Sequence, residues 1–164
     1  MATTADLTTT VQVAIRATKK LASDLSDGAP DTVNSTYSKS TTVGTTDNKA
    51  DGLFHDQRTA TAAADRLDFS SGLTDAQGVA IVWAKLRWIA IENTSTTTTE
   101  SLSINAAGAT QPITGISSVI PPGGIYIITG PVDGFTIDAT HDSVTVNPGA
   151  ATIIYNVWAA GTTA

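Results

Sequence analysis

The chain contains no cysteine, so a disulfide framework and thiolate metal sites are excluded and the redox compartment stays open. Charge is scarce as well: Asp, Glu, Lys and Arg supply 15% of the 164 residues, where soluble domains usually carry about a quarter. The little charge there is lies unevenly. All nine Lys and Arg fall at or before Arg87, whereas residues 88–164 carry acidic groups alone, and the net charge is −6. Phosphate binding draws its affinity from clustered cations that release counterions, so nucleic acid is not an expected partner. No apolar run approaches the roughly 18 residues of a membrane-crossing helix, and no membrane partner is expected. The opening MATTADLTTTVQV has neither a basic nor a long apolar segment. No signal peptide is therefore expected, and synthesis in a cytoplasm is. Only two histidines and two glutamates are available for acid–base chemistry.

What is abundant is β-branched. Threonine is the commonest residue, and Ile and Val together outnumber Leu. Such side chains are stiff at χ1 and suit a pleated surface. With 13 Gly and 6 Pro punctuating short apolar runs, the chain reads as all-β. TVQVAIRAT (10–18) alternates as a half-buried strand does, and a weak strand is expected around 33–43. GTTDNKADGLFHDQ (44–57) reads as a loop. RTATAAADRLDF (58–69) suits a helix by its alanines and a strand by its alternation, and SSGLTDAQG (70–78) a loop with a helical turn. In VAIVWAKLRWIAIEN (79–93) the alternation slips, which predicts a bulge or short turn near 84–87 that resets the buried face. Beyond it, SLSIN, ISSVI, GIYIITG, GFTID, SVTVN and ATIIYNVWAA are separated by turns such as PPGG, GPVDG and NPGA. Short strands at this spacing indicate an antiparallel β-sandwich of eight or nine strands, jelly-roll-like. Residues 1–50 form an N-terminal arm with the first strands, and 51–164 the sandwich core, together one structural domain.

Candidate chemistry is thin. His55–Asp56 and His141–Asp142 are two His-Asp steps of the kind that can ligate a metal or support a general base. A catalytic zinc needs about three protein ligands, and no pattern brings the two together. Asp after His is also a good turn residue, since its carboxylate bonds the backbone two positions on. DNKAD (47–51) and DLSDGAPD (24–31) lack the EF-hand spacing and its closing glutamate. PPGGIYIITG runs into a strand, not the helix that a phosphate cradle requires. No serine sits in a nucleophile elbow. Neither an enzyme nor a cofactor is expected. Trp83, Trp88 and Trp158 are read as core or interface anchors, with sugar stacking as the alternative. Lys85 and Arg87 read as a solvated stripe snorkelling over the core, or more sharply as contacts to an acidic partner. Arg16, Lys19, Lys20, Trp83, Lys85 and Arg87 are the candidate partner-contact residues.

The ordered pieces GTTDNKAD, DQRTATAA, LDFSSGLTDAQG, WAKLRWIAIENTS, VIPPGGIYI, GFTI and VTVNPGAATIIYNVWAAG, spanning 44–161, resemble the small tailed-bacteriophage proteins that decorate or cement the virion head. The resemblance implies a jelly-roll-like subunit that forms a dimer or trimer with itself and clamps neighbouring major capsid proteins on the capsid exterior. It implies fold-determining roles for Gly44, Asp51, Arg58, Leu67, Asp68, Gly72, Asn93, Pro122, Gly123, Gly124, Gly134, Asn147 and Gly149, and no catalyst. The threonine run 94–99 and Trp88 depart from the usual pattern. The rival expectations are a glycan- or receptor-binding sandwich of a phage fibre, and a head–tail connector or tail component.

Overall fold

The structure, a computed structural model, describes residues 7–19, 31–105, 112–113 and 117–163. Within them run twelve strands and no helix. They are β1 (Thr8–Lys19), β2 (Asp31–Val43), β3 (Lys49–Ala50), β4 (Gly52–Ala60), β5 (Asp65–Asp68) and β6 (Lys85–Asn93). The second half adds β7 (Leu102–Asn105), β8 (Ser118–Ile120), β9 (Ile125–Thr129), β10 (Phe135–Thr136), β11 (Ser143–Asn147) and β12 (Ile153–Thr162). The all-β expectation holds, with more strands than the eight or nine counted from the sequence.

Two sheets enclose the core. In the larger, β6 pairs with β9 and β10 along one side and with β12 on the other, and β12 pairs in turn with β4. The smaller has the order β5–β11–β7–β8, antiparallel throughout. Alternation along β12 sends Ile153, Tyr155, Val157 and Ala159 inward, where they meet Leu67, Val144, Val146, Leu102, Ile104 and Ile120 of the facing sheet. Aromatic rings close one end: Phe69 stacks on Trp83 at 5.4 Å with the rings nearly parallel, and meets Phe54 edge-on at 6.4 Å. A third sheet, β1–β2–β3, is a long antiparallel hairpin with the short β3 added in parallel, and its foot is tied to the larger sheet.

The expected loop at 44–57 is corrected. Turn residues fill 44–48, but β3 and β4 occupy nearly all of 49–57. β4 is the edge strand of its sheet, so His55, Asp56 and Gln57 stay exposed. A polar edge strand carries the composition of a loop, which is how natural sheets guard their edges. The ambiguous 58–69 segment is the end of β4 and β5, not a helix, and 70–78 is a loop entered through a single helical turn, in which the Gly72 N–H donates to Asp68 O at 3.2 Å. There the Asp75 carboxylate accepts the backbone N–H of Gln77 at 2.9 Å and of Val79 at 2.8 Å.

The predicted bulge is present. Trp88 pairs with Ala160 and Leu86 with Gly161, so β6 spends one extra residue, Arg87, where β12 spends none. The bulge lets Leu86, Arg87, Ile89 and Ile91 all be buried. It lies beside Trp83, whose ring packs on two glycines. A Cβ at Gly161 would run into the Trp83 ring and come within 2.6 Å of the Lys85 carbonyl, and one at Gly52 would run into the Trp83 indole nitrogen. Overpacking of this kind costs roughly 1–3 kcal/mol. Gly161→Ala is expected to lower stability by about that much in urea unfolding without changing the slope, and an unchanged midpoint would mean that the ring moves aside freely.

Candidate functional site

No group of three or more His, Cys, Asp and Glu placed to hold a metal ion occurs among the described residues. The two His-Asp steps lie on separate elements: His55 is exposed on β4, and His141 sits in the turn between β10 and β11. Each following aspartate is engaged by an arginine, Asp56 by Arg58 at 3.3 Å and Asp142 by Arg66 at 2.7 Å. His141 instead turns its Nδ1 to Asp138 at 3.0 Å. Hydrogen bonds from the Thr140 hydroxyl and backbone, then from His141, hold the Asp138 carboxyl far below the usual carboxylate range. That arrangement is an Asx turn closing a strand connection. Of the calcium-like stretches, DNKAD supplies a tie: the Asp51 carboxylate accepts the Thr163 N–H at 2.8 Å and its hydroxyl. Residues 24–30 of the other lie outside the described residues.

The candidate contact residues separate into two groups. Arg16 is exposed on the polar face of β1, opposite Asn34. Lys19 ends β1 opposite Asp31, and Lys20 lies outside the described residues. Lys85 is half-buried, its Nζ 3.0 Å from the Thr136 hydroxyl and 3.3 Å from Asp133. Trp83 and Arg87 are corrected, since they are 5% and 2% exposed and offer a partner no surface. Trp83 is drawn in by stacking on Phe69. Arg87 is drawn in by backbone carbonyls: Nε donates to Lys49 O at 2.9 Å, one terminal nitrogen to Val132 O at 2.9 Å, and the other to Thr46 O at 2.9 Å and Thr45 O at 3.4 Å. The bulge turns Arg87 to the side where the 45–49 and 130–134 turns meet.

That clamp fixes the foot of the hairpin. Above it, the Thr9 and Thr41 hydroxyls meet at 2.6 Å in a buried pair, and the Trp88 indole N–H donates to Thr9 Oγ1 at 3.1 Å. The Tyr37 hydroxyl reaches Thr129 at 3.1 Å, and the Asn48 N–H donates to Pro131 O at 2.8 Å. Further out, Gln12, Ala14, Ile15, Arg16 and residues 34–40 are exposed. Beside the hairpin foot, the outer face of the larger sheet sets Trp158, half-buried, between His55 and Ala90, with Ile125 at 56% and Ile154 at 49% exposure nearby. Comparison with family models, curated proteins and solved structures finds no match for this chain.

A second polar cluster joins the two sheets at their edge. Arg58 bonds Asp65 through Nε at 2.6 Å and a terminal nitrogen at 2.9 Å, and the Tyr155 hydroxyl donates to the same carboxylate at 2.7 Å. Burial alone would raise the Asp65 carboxyl, but the bonds from Arg58 and Tyr155 outweigh it and hold the group below its usual range. Burial, then the bond to Asp65, pushes the Tyr155 hydroxyl well above its ordinary value. The resemblance implied a fold-determining role for Arg58 but not its partners, because Asp65 of β5 and Tyr155 of β12 meet it only once the strands pack.

Two outcomes are expected. Arg87→Met removes the charge-assisted bonds to the carbonyls of both turns and is expected to cost about 3 kcal/mol, with amide exchange at 45–50 rising beyond that in β12; Arg87→Lys recovers only part, since an ammonium lacks the planar fork. Equal exchange increases everywhere would remove Arg87 from its role at the hairpin foot. Asp65 titrates lower folded than unfolded. Its contribution is therefore complete above the unfolded value of about 3.9 and fades as pH falls toward the folded one. Asp65→Asn is expected to flatten that acid limb of stability, measured by denaturant unfolding at a series of pH values.

Proposed function

We propose that this chain is a structural virion protein, binding the outside of a tailed-bacteriophage capsid as an oligomer and stabilising contacts between major capsid proteins. The observation that carries the reading is the division of the molecule into a closed sandwich and a long hairpin held at its foot, with most of its length exposed. Such a body offers contact surface on a rigid base. The resemblance of residues 44–161 to head-decorating proteins supports the same reading. So does the distribution of exposed apolar groups, with Ile15, Val119 and Ile125 each more than half exposed at separate places.

Clamping by such a subunit needs no chemistry beyond contact. A stable interface buries roughly 1,200–2,000 Å², and joining several subunits makes each later contact effectively intramolecular. With Trp83 and Arg87 occupied inside, the contact residues of this reading are on the hairpin: Arg16 from the sequence, with Lys39 and Tyr37 added by the fold.

A second reading, a glycan-binding module of a phage fibre, is favoured by half-buried Trp158 beside exposed His55 on the outer sheet face. One experiment separates them. Purified protein added to undecorated capsids is expected to bind and to raise their resistance to heat or chelator. Absence of binding, with tryptophan fluorescence changing on addition of sugars, would replace the capsid reading by the glycan one, and low copy number with ring symmetry would point to a tail component.

A further inference from the structure

The hairpin is longer than it can support by itself. β1 has 12 residues and β2 has 13, in unbroken register from Thr8 opposite Thr42 to Lys19 opposite Asp31. The body buries the foot, where Thr9, Val11 and Thr41 lie, and beyond it reaches Tyr37 through the Thr129 hydroxyl. A two-stranded ribbon in water is at best marginally stable, and further strands or a packed face are needed to hold it. This ribbon also has a sided surface. Val11, Val13 and Ile15 share one face with Tyr37, which stands opposite Val13. Ile15 is 58% and Tyr37 45% exposed on it. The other face sets Thr10, Gln12, Ala14 and Arg16 against Ser40, Ser38, Thr36 and Asn34.

β1 is the outermost strand of its sheet, and among the described residues it pairs with β2 alone. Every second residue of an edge strand turns its N–H and C=O outward, a template for another strand. The usual guards are missing here. Between Thr8 and Thr18 there is no proline and a single charge, Arg16, and the register contains no bulge.

We propose that β1 pairs antiparallel with β1 of a second copy across a two-fold axis near Val13, joining the two hairpins into one continuous sheet. The occupant is a second copy because the edge is complementary to itself. With Val13 opposite its own counterpart, Val11 faces Ile15, Gln12 faces Ala14 and Thr10 faces Arg16. Both apolar stripes then share one side, and no like charges are opposed. An isologous contact of this kind closes as a dimer. The inference deepens the capsid reading and rests on it only in expecting an oligomer; it concerns the purified protein and needs no capsid.

The test uses the absence of cysteine. Val13→Cys introduces a single thiol at the two-fold, where directly opposed Cα atoms lie within disulfide range. Ile15→Cys places its thiol four residues out of register with its counterpart, about 14 Å away. Under mild oxidation Val13→Cys is expected to cross-link and Ile15→Cys to stay uncoupled. Sedimentation of the unmodified chain is expected to give a mass of two copies or a multiple. The exposed double variant Gln12→Lys/Ala14→Lys opposes like charges across the axis and is expected to weaken the association about tenfold at low salt, with circular dichroism unchanged. A single-chain mass at high micromolar concentration, an association indifferent to the double variant, or equal cross-linking of both thiols overturns the proposal. A dimer that fails to bind capsids leaves it standing and removes the capsid reading; a monomer that binds capsids does the reverse.

Discussion

The rest of the structure is organised around a buried cation without a carboxylate. Arg87 is nearly inaccessible, and none of the salt bridges among the described residues includes it. Taking a guanidinium out of water is costly unless its hydrogen-bonding groups are satisfied. Here three of its nitrogens are satisfied by carbonyl dipoles from two turns. The bulge in β6 is what aims it there, and the carbonyls it gathers set where the hairpin leaves the sandwich. One side chain thus couples the irregular point of the central sheet to the position of the projecting arm. A neutral isostere of similar volume would fill the space and leave the turns without their common anchor.

Asn93 has a similar role at the far end of the same strand. Its amide nitrogen donates to Glu100 O at 2.8 Å and Ile120 O at 3.1 Å, its side-chain oxygen accepts from Ser95 at 3.0 Å, and its own backbone meets Gly123 and Gly124. The threonine-rich connection and the PPGG turn are therefore referred to one fully buried amide. Between Asn93 and Arg87 runs a strand whose interior face is purely aliphatic. The polar groups sit at its ends, where loops need direction, and the middle is left to packing.

Local signals carried much of this. The alternation of 10–18 located β1, the slip at 84–87 located the bulge, and the turns after Pro122, Asp133 and Pro148 separated the later strands. What sequence could not supply was pairing. β4 looked like a loop because an edge strand is polar, and Arg87 looked like a solvated stripe residue because the carbonyls that receive it come from positions about 40 residues away on either side. The same holds for the hairpin foot: Thr9 and Trp88 are ordinary residues alone, and their hydrogen bond exists only once β1 lies over the larger sheet. The candidate contact residues divided accordingly. Exposed Arg16 kept a surface position, Lys85 stayed half-buried, and Trp83 and Arg87 turned inward.

Order along the chain has its own consequence. The strand at the middle of the larger sheet, β12, comes after all eleven others in the sequence, and it supplies the partner edges of both β4 and β6. While a ribosome is still short of residue 153, those two edges have nothing between them. β6 can gather β9 and β10 as they emerge, but β4 has no partner in this sheet until β12 arrives to join it to β6. Long loop closures of this kind slow folding, and prematurely terminated products would present two open strand borders to one another.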